Sequence, residues 1–500
     1  MHVLKRARRR VRLDMGKKSV QKKDLLILGC IILIALVLRL YKIGAPLSDF
    51  HSWRQADTAA VARNFVREKF DIFEPHYDDL SSIQSGSENP KGLRFVELPL
   101  YNAMFAILYK IAPLTPIEVY GRITTIFFSL IIISIIYYLL LREHSRTSAF
   151  FGSLIYAVMP AFIFFSRVVL PETTAVAFSF LSILFLYWWY FQKRRLLSLA
   201  FLIVSLVCFS ISILIKPTVI FYGLTLFYLF ISRYRFSSLK RFEIYFYFFL
   251  SLLPLIAWRL YIQKFPEGIP SSGWLISSVN TFEGQKNIFM KPAFFRWIFY
   301  ERLNVMIFGG FLTGFFIFGM LAKLKKYFLH FILLSSLMYL FVFQGGNVQH
   351  EYYQTVLLPP LAMFTGIGIA LLIQEGKRIF TPFLVYPTII CALLFSFSFS
   401  YYYKVKDFYT YPQDLNQMAK ILMTFTSEDD KIITDRLGDT TLLYLASRKG
   451  APMLYKTVEQ LREDGYSFYM TDKKEIIEDL KQQKQYLVLF ENNQFTLFKL

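Results

Sequence analysis

Charge and cysteine are both scarce in this chain. Charged residues make up 18% of its 500 positions, against about 25% in an ordinary soluble domain. There are three cysteines, and Cys30, Cys208 and Cys391 all fall within apolar runs. That excludes a disulfide framework and reads them as small buried hydrophobes. The sequence also has no Gly-rich phosphate loop, no His/Cys cluster and no nucleophile-elbow serine, so nucleotide-driven transport and soluble hydrolase chemistry find no support. Abundant instead are apolar and aromatic residues, 55% and 18%, with a mean hydropathy of +0.42. Apolar runs of about 20 residues recur along the chain, which describes a multi-spanning membrane protein.

The net charge of +21 would suggest nucleic acid on a soluble protein. Here the excess lies at the N-terminus, with ten Lys or Arg among the first 23 residues, and in short connections between apolar runs. It therefore reports membrane orientation, and no nucleic-acid partner is expected. Spans are expected near 25–41, 118–141, 148–166, 173–191, 197–215, 217–232, 243–263, 303–321, 327–343, 355–373 and 379–400. Placing every basic connection inside alternates these eleven without contradiction. The run 97–112, with Pro99 and Pro113 at its ends, reads as a short or re-entrant segment, so the count is eleven to thirteen. The basic segment 1–24 is expected in the cytoplasm, as an uncleaved start to the first anchor. Residues 25–401 form the membrane domain, with outer loops 43–96 and 264–301. The tail, 402–500, carries 14 Lys/Arg against 15 Asp/Glu and no membrane-length run. Helix-like stretches at 414–426, 457–464 and 473–484 alternate there with strand-like ones at 431–435, 486–491 and 494–499. This pattern describes a small extracytoplasmic α/β domain.

Ionisable residues at span ends mark the candidate site, because bilayer cost argues against them. From Ser52 the string Trp53-Arg54-Gln55-Ala56-Asp57-Thr58 reads as a helix with Arg54, Asp57 and Thr58 on one face. A carboxylate beside an arginine suits general-base work next to a phosphate; an ordinary surface ion pair is the plainer reading. Glu97 opens the short segment, where simple helix capping is the competing account. Arg167 and Glu172 sit between two spans with almost no loop, where snorkelling and capping compete with function. Lys216 stands alone between two apolar runs, where it either pairs with an anion or snorkels. His350-Glu351 is either a pH-sensitive pair or a metal ligand, although single histidines are more often structural.

These residues carry a resemblance. Asp49-x-His51-x-Trp53-Arg54-Gln55-Ala-Asp57-Thr-Ala, Asp71-Ile-Phe-x-Pro75 with Asp78 and Asp79, Glu97-x-Pro-Leu-Tyr, Ser166-Arg-x-x-x-Pro-Glu172 and His350-Glu351-Tyr352-Tyr together resemble the C-type membrane glycosyltransferases. These are related to protein O-mannosyltransferases and to the aminoarabinose transferase of lipid A (glycosyltransferase families 39 and 83). The resemblance covers residues 25–400. It implies a polytopic enzyme with the C-type fold, using a polyprenyl-phosphate sugar as donor on the outer face of a cell (inner) membrane. The acceptor is a glycan, lipid or protein.

By the same resemblance the base is Asp49 or Asp57, and Glu97 and Glu172 occupy the other acidic positions. Where some relatives have a lysine after the acidic residue this chain has Leu98, so donor phosphate contact passes to Arg54, Arg167 or Lys216. No nucleotide or metal is chemically required, while a divalent cation is compatible through Glu97, His51 or His350. A lipid or solute transporter is the rival reading, and a scaffold with an outer sensor domain the plainer one. Transporters tend to carry ionisable groups near the midplane in two related halves, a pattern absent here.

Overall fold

The computed structural model describes residues 19–271, 291–379 and 381–500. The basic segment 1–24 and the loop 264–301 therefore fall partly outside the described residues. The membrane domain begins with α1 (Lys22–Arg39), α2 (Ser52–Arg67), α3 (Leu100–Ile111), α4 (Ile117–Glu143), α5 (Arg146–Val158) and α6 (Pro160–Phe165). It continues with α7 (Glu172–Phe191), α8 (Arg195–Ile215), α9 (Gly223–Tyr234), α10 (Phe242–Ile262), α11 (Leu312–Met320), α12 (Phe328–Val342), α13 (Leu358–Ile379) and α14 (Pro382–Ser400).

Six helices among the described residues are long and apolar enough to cross a membrane, seven if the pair Pro292–Ile307 and α11, bent by 114°, counts as one. The remaining apolar runs fall on shorter, charged or broken helices. Lys22, Lys23, Asp24 and Arg39 charge α1, Pro160 divides α5 from α6, and Pro217 opens a 3-10 turn over Pro217–Tyr222 before α9. Proline removes a ladder donor and fixes φ, so a run that is continuous in hydropathy breaks in backbone.

The bundle turns large apolar side chains outward. Leu26, Leu33 and Val37 on α1 and Phe242, Phe246 and Phe249 on α10 are exposed, a surface suited to acyl chains. Cys30 and Cys391 lie on the exposed exterior and only Cys208 is buried; all three are free. Two of the three thus face outward, contrary to the expectation of buried thiols. Inside, small residues bring helices close. A Cβ on Gly319 or Gly368 would stand 1.8 Å from the carbonyl oxygen of Phe364 or Phe315, so α11 and α13 meet backbone to backbone.

The tail holds α15 (Gln413–Phe425), α16 (Thr441–Ala446), α17 (Val458–Glu463) and α18 (Lys474–Gln482) around five strands. These are β1 (Lys431–Thr434), β2 (Lys449–Ala451), β3 (Tyr466–Thr471), β4 (Leu487–Glu491) and β5 (Thr496–Lys499), in sheet order β2-β1-β3-β5-β4. The central strand β3, with β2 and α16, is additional to the elements expected from the sequence. Helical backbone also runs past Ser400 through Val405 as a π-turn, before α15. The tail docks on the loop after α2. Leu80 N donates to Gly450 O at 2.7 Å and Gly450 N to Asp78 O at 2.9 Å, which adds one more parallel pairing beside β2. Arg63 locks the junction by donating to Asp78 Oδ2 at 2.5 Å and to Tyr444 O at 2.8 Å.

Candidate active site

The helix expected from Ser52 is α2, and its first turn is built by side chains. His51 takes a left-handed φ of 57° immediately before the helix. Gln55 folds back to donate to Asp49 Oδ1 at 2.7 Å and Phe50 O at 2.9 Å. The register puts Arg54, Asp57, Thr58 and Val61 on one face, where they line a small open pocket of about 30 Å³ with Arg94 and Glu97. Ala56 and Ala60 turn inward to the packed core, as small residues against neighbouring helices should.

Glu97 is the hub of the pocket. Arg54 Nη2 donates to both of its oxygens, at 3.0 and 2.8 Å, and Lys216 Nζ to Oε1 at 2.7 Å. Lys216 Nζ also lies 2.8 Å from Glu172 Oε1. That second contact is an ion pair outside hydrogen-bonding angles, since neither Glu172 oxygen has a hydrogen-bond partner. Burial by itself would raise the Glu97 carboxyl, but Arg54 and Lys216 hold it down at about 2. Capping is not its role, because α3 starts at Leu100 behind Pro99 with no side-chain cap. Two cations thus face two carboxylates, a neutral set that tolerates dehydration only while all four remain.

Asp57 stands beside this network with both oxygens engaged. Arg94 Nη2 donates to Oδ2 at 2.8 Å and Thr440 Oγ1, from the tail, to Oδ1 at 2.6 Å. Arg94 in turn lies over the Tyr77 ring, 4.9 Å from its centroid.

Asp49 and Arg167 belong to a different group. Arg122 Nη2 is 3.8 Å from Asp49 Oδ2, while Arg122 Nη1 donates to the carbonyls of Ile43 and Ala45. Arg167 donates to Lys42 O at 2.9 Å and lies over the Tyr409 ring. Burial pushes the Asp49 carboxyl up against the opposing pull of Arg122 and Arg167. Arg167, grouped in sequence with Arg54 and Lys216, is therefore placed with Asp49 instead.

A third group joins His51 to Glu351 at 2.9 Å, with Arg302 paired to the same carboxylate. His350 packs at its edge, within ring contact of His51, Trp53 and Tyr352. Burial, reinforced by the neighbouring His51, lowers the His350 imidazole to about 4, so it is neutral at pH 7. The Tyr353 ring lies 5.7 Å from Lys216 Nζ and links this group to the first. Among the described residues no three His, Cys, Asp or Glu side chains gather as a metal site.

Arg94, Arg122, Arg302 and Thr440 were not singled out from sequence. Arg122 had a usable signal, a charge near the start of an apolar span. Arg94 and Thr440 had no such signal.

Comparison with known proteins places the fold. Residues 97–261 match the family model of dolichyl-phosphate-mannose-protein mannosyltransferases. ArnT from Cupriavidus metallidurans, solved bound to undecaprenyl phosphate, superposes with a TM-score of 0.65 at 11% identity over 94% of this chain and 97% of that one. The chain has the C-type glycosyltransferase fold. The archaeal oligosaccharyltransferase AglB from Archaeoglobus fulgidus, in complex with an inhibitory peptide and a dolichol-phosphate, matches at 0.51 and 11% identity, covering 90% of this chain and 69% of that one. The mycobacterial arabinofuranosyltransferase AftD matches at 0.56 and 11% identity, covering 96% and 42%. A comparison with curated protein sequences finds no match. The C-type fold is thus shared at sequence identities that preserve little beyond backbone.

Proposed function

We propose that this protein transfers a sugar from a polyprenyl-phosphate donor to an acceptor hydroxyl or amine at the outer face of a cell membrane. The observation that carries the reading is the pocket in which Asp57 and Glu97 stand beside Arg54, with Lys216 behind. A cation pair fixed before the reaction suits a leaving phosphate whose charge grows in the transition state. The neighbouring matches to proteins solved with polyprenyl phosphates support the donor class.

In the reaction the acceptor oxygen or nitrogen attacks the anomeric carbon and forms the new glycosidic bond. The bond from that carbon to the phosphate oxygen breaks, and its electron pair leaves with the polyprenyl phosphate. Asp57 takes the acceptor proton, and in-line attack inverts the anomeric centre. Lys216 already bridges the Glu97 and Glu172 carboxylates, so its ammonium supplies the positive charge between them, and the scheme requires no metal. Helix direction supports the outer-face reading. α7 and α8 put Glu172 and Lys216 at one end and a basic connection at the other, about 30 Å away at 1.5 Å per residue. Because positive connections face the cytoplasm, this supports the reading with the site and tail outside.

One observation favours a second reading, with Asp49 as the base and Arg167 on the phosphate. An apolar groove lined by Val37, Tyr41, Ile163, Phe397 and Tyr401 reaches Tyr409, whose ring lies beneath Arg167. Such a groove suits a prenyl chain.

The function is tested with purified protein in lipid, offered a panel of undecaprenyl-phosphate sugars together with membrane extract as acceptor. Release of free undecaprenyl phosphate from one donor is expected. Movement of intact donor across the bilayer without cleavage would establish the transporter instead.

A further inference from the structure

The tail domain does more than cover the membrane domain, because it sends one side chain into the carboxylate at the heart of the site. Thr440 is 3% exposed and its hydroxyl donates to Asp57 Oδ1 at 2.6 Å, while Arg94 holds Oδ2. Arg94 lines the pocket and Thr440 does not. The threonine thus reaches the reaction only through Asp57. Its own position is firmly set. Thr441 donates to Ser52 Oγ at 3.0 Å, tying the start of α16 to the start of α2. The Arg63–Tyr444 contact and the Asp78–Gly450–Leu80 pairing fix the domain on either side.

We propose that Thr440 is a positioning residue for the transfer, holding one Asp57 oxygen so that the carboxylate keeps a single orientation towards the pocket. The inference rests on the reading of Asp57 as base. A carboxylate at the end of a short side chain turns freely about its last bond. Two donors on opposite oxygens stop that rotation. Arg94 alone would leave Asp57 free to swing on a single anchor, and a base displaced by a fraction of an ångström loses alignment with the acceptor proton. The membrane domain therefore carries the base and the tail supplies one of the two donors that aim it.

The test compares Thr440→Val, Thr440→Ala and Thr440→Ser with wild type, following undecaprenyl phosphate release from the donor that wild type uses. The valine and alanine variants should lose about tenfold or more in kcat, the scale of a hydrogen bond to a charged group. The donor KM should stay within about twofold. Thr440→Ser keeps the hydroxyl and should restore most of the rate. If Thr440→Val fails to fold, Thr440→Ala, which adds no apolar bulk, decides. Wild-type kcat in both variants, or a loss that serine does not restore, overturns the inference while leaving the base assignment intact. A wild type that cleaves no donor, or an Asp57→Asn variant with full activity, overturns both together.

Discussion

On one side of the first turn of α2, Arg54 and Lys216 hold carboxylates; on the other, Arg122 and Arg167 hold backbone carbonyls. Both groups are buried at the same end of the bundle and both contain an aspartate. The first balances two cations against Glu97 and Glu172 and opens to a pocket. The second sets its guanidinium groups against Asp49 and pins Lys42, Ile43 and Ala45, the connection between α1 and α2. Buried arginine is suited to both tasks, because its planar fork satisfies several acceptors at once. On the proposed reading the difference lies in what the cations hold: carboxylates lining a pocket in the first group, and the backbone of the α1–α2 connection in the second, although an apolar groove reaches the second group as well.

The comparison can be broken most severely at Lys216. Lys216→Met leaves Glu97 and Glu172 short of a cation, and removing one partner of a buried pair typically costs about 3–5 kcal/mol. Thermal unfolding in detergent should show that loss together with at least a hundredfold drop in turnover, because a fixed cation beside the leaving group is removed as well. Retained activity would take Lys216 out of the site.

Arg122→Met should separate the two groups. It frees the Ile43 and Ala45 carbonyls and leaves Asp49 less compensated, so stability should fall by about 1–3 kcal/mol. Turnover of the folded fraction should persist. Activity lost in step with Lys216→Met would merge the two groups into one site.

A smaller effect distinguishes the groups by pH. The Glu97 carboxyl is held at about 2 in the folded protein against an ordinary 4.5. A depressed carboxyl contributes stability that is fully present above the unfolded value and is lost as pH falls through the folded one. The stability gap between wild type and Glu97→Gln should therefore narrow between pH 4.5 and about 2. A gap constant over that window would mean that Glu97 is not charge-paired.

Local pattern was readable in the sequence, and distant pairing was not. The face shared by Arg54, Asp57 and Thr58 followed from helical spacing, and the α2 register bears it out. The helix ends of the tail at α15, α17 and α18 fell within a residue or two of their expected bounds. Strand β3 was missed because Tyr466–Thr471 follows directly on a helical stretch and mixes polar with aromatic residues, although both faces of the central strand are buried. The partner of Glu97 lies 119 residues away at Lys216 and that of Asp57 lies 383 residues away at Thr440. No spacing rule reaches across such distances. Several span ends were legible from hydropathy, while the break at Pro160 lies inside a run that hydropathy reads as continuous, and the turn Pro217–Tyr222 takes up the start of the run 217–232.

The measurement that tests the central claim most directly pairs Asp57→Asn with Asp49→Asn, each assayed for undecaprenyl phosphate release and for thermal unfolding in the same lipid preparation. The account predicts that Asp57→Asn folds and loses about a hundredfold or more in turnover, the range of a general base. Asp49→Asn should shift the unfolding midpoint and keep its turnover. The reverse result, an inactive Asp49→Asn beside an active Asp57→Asn, would contradict the account and move the chemistry to the group around Arg167.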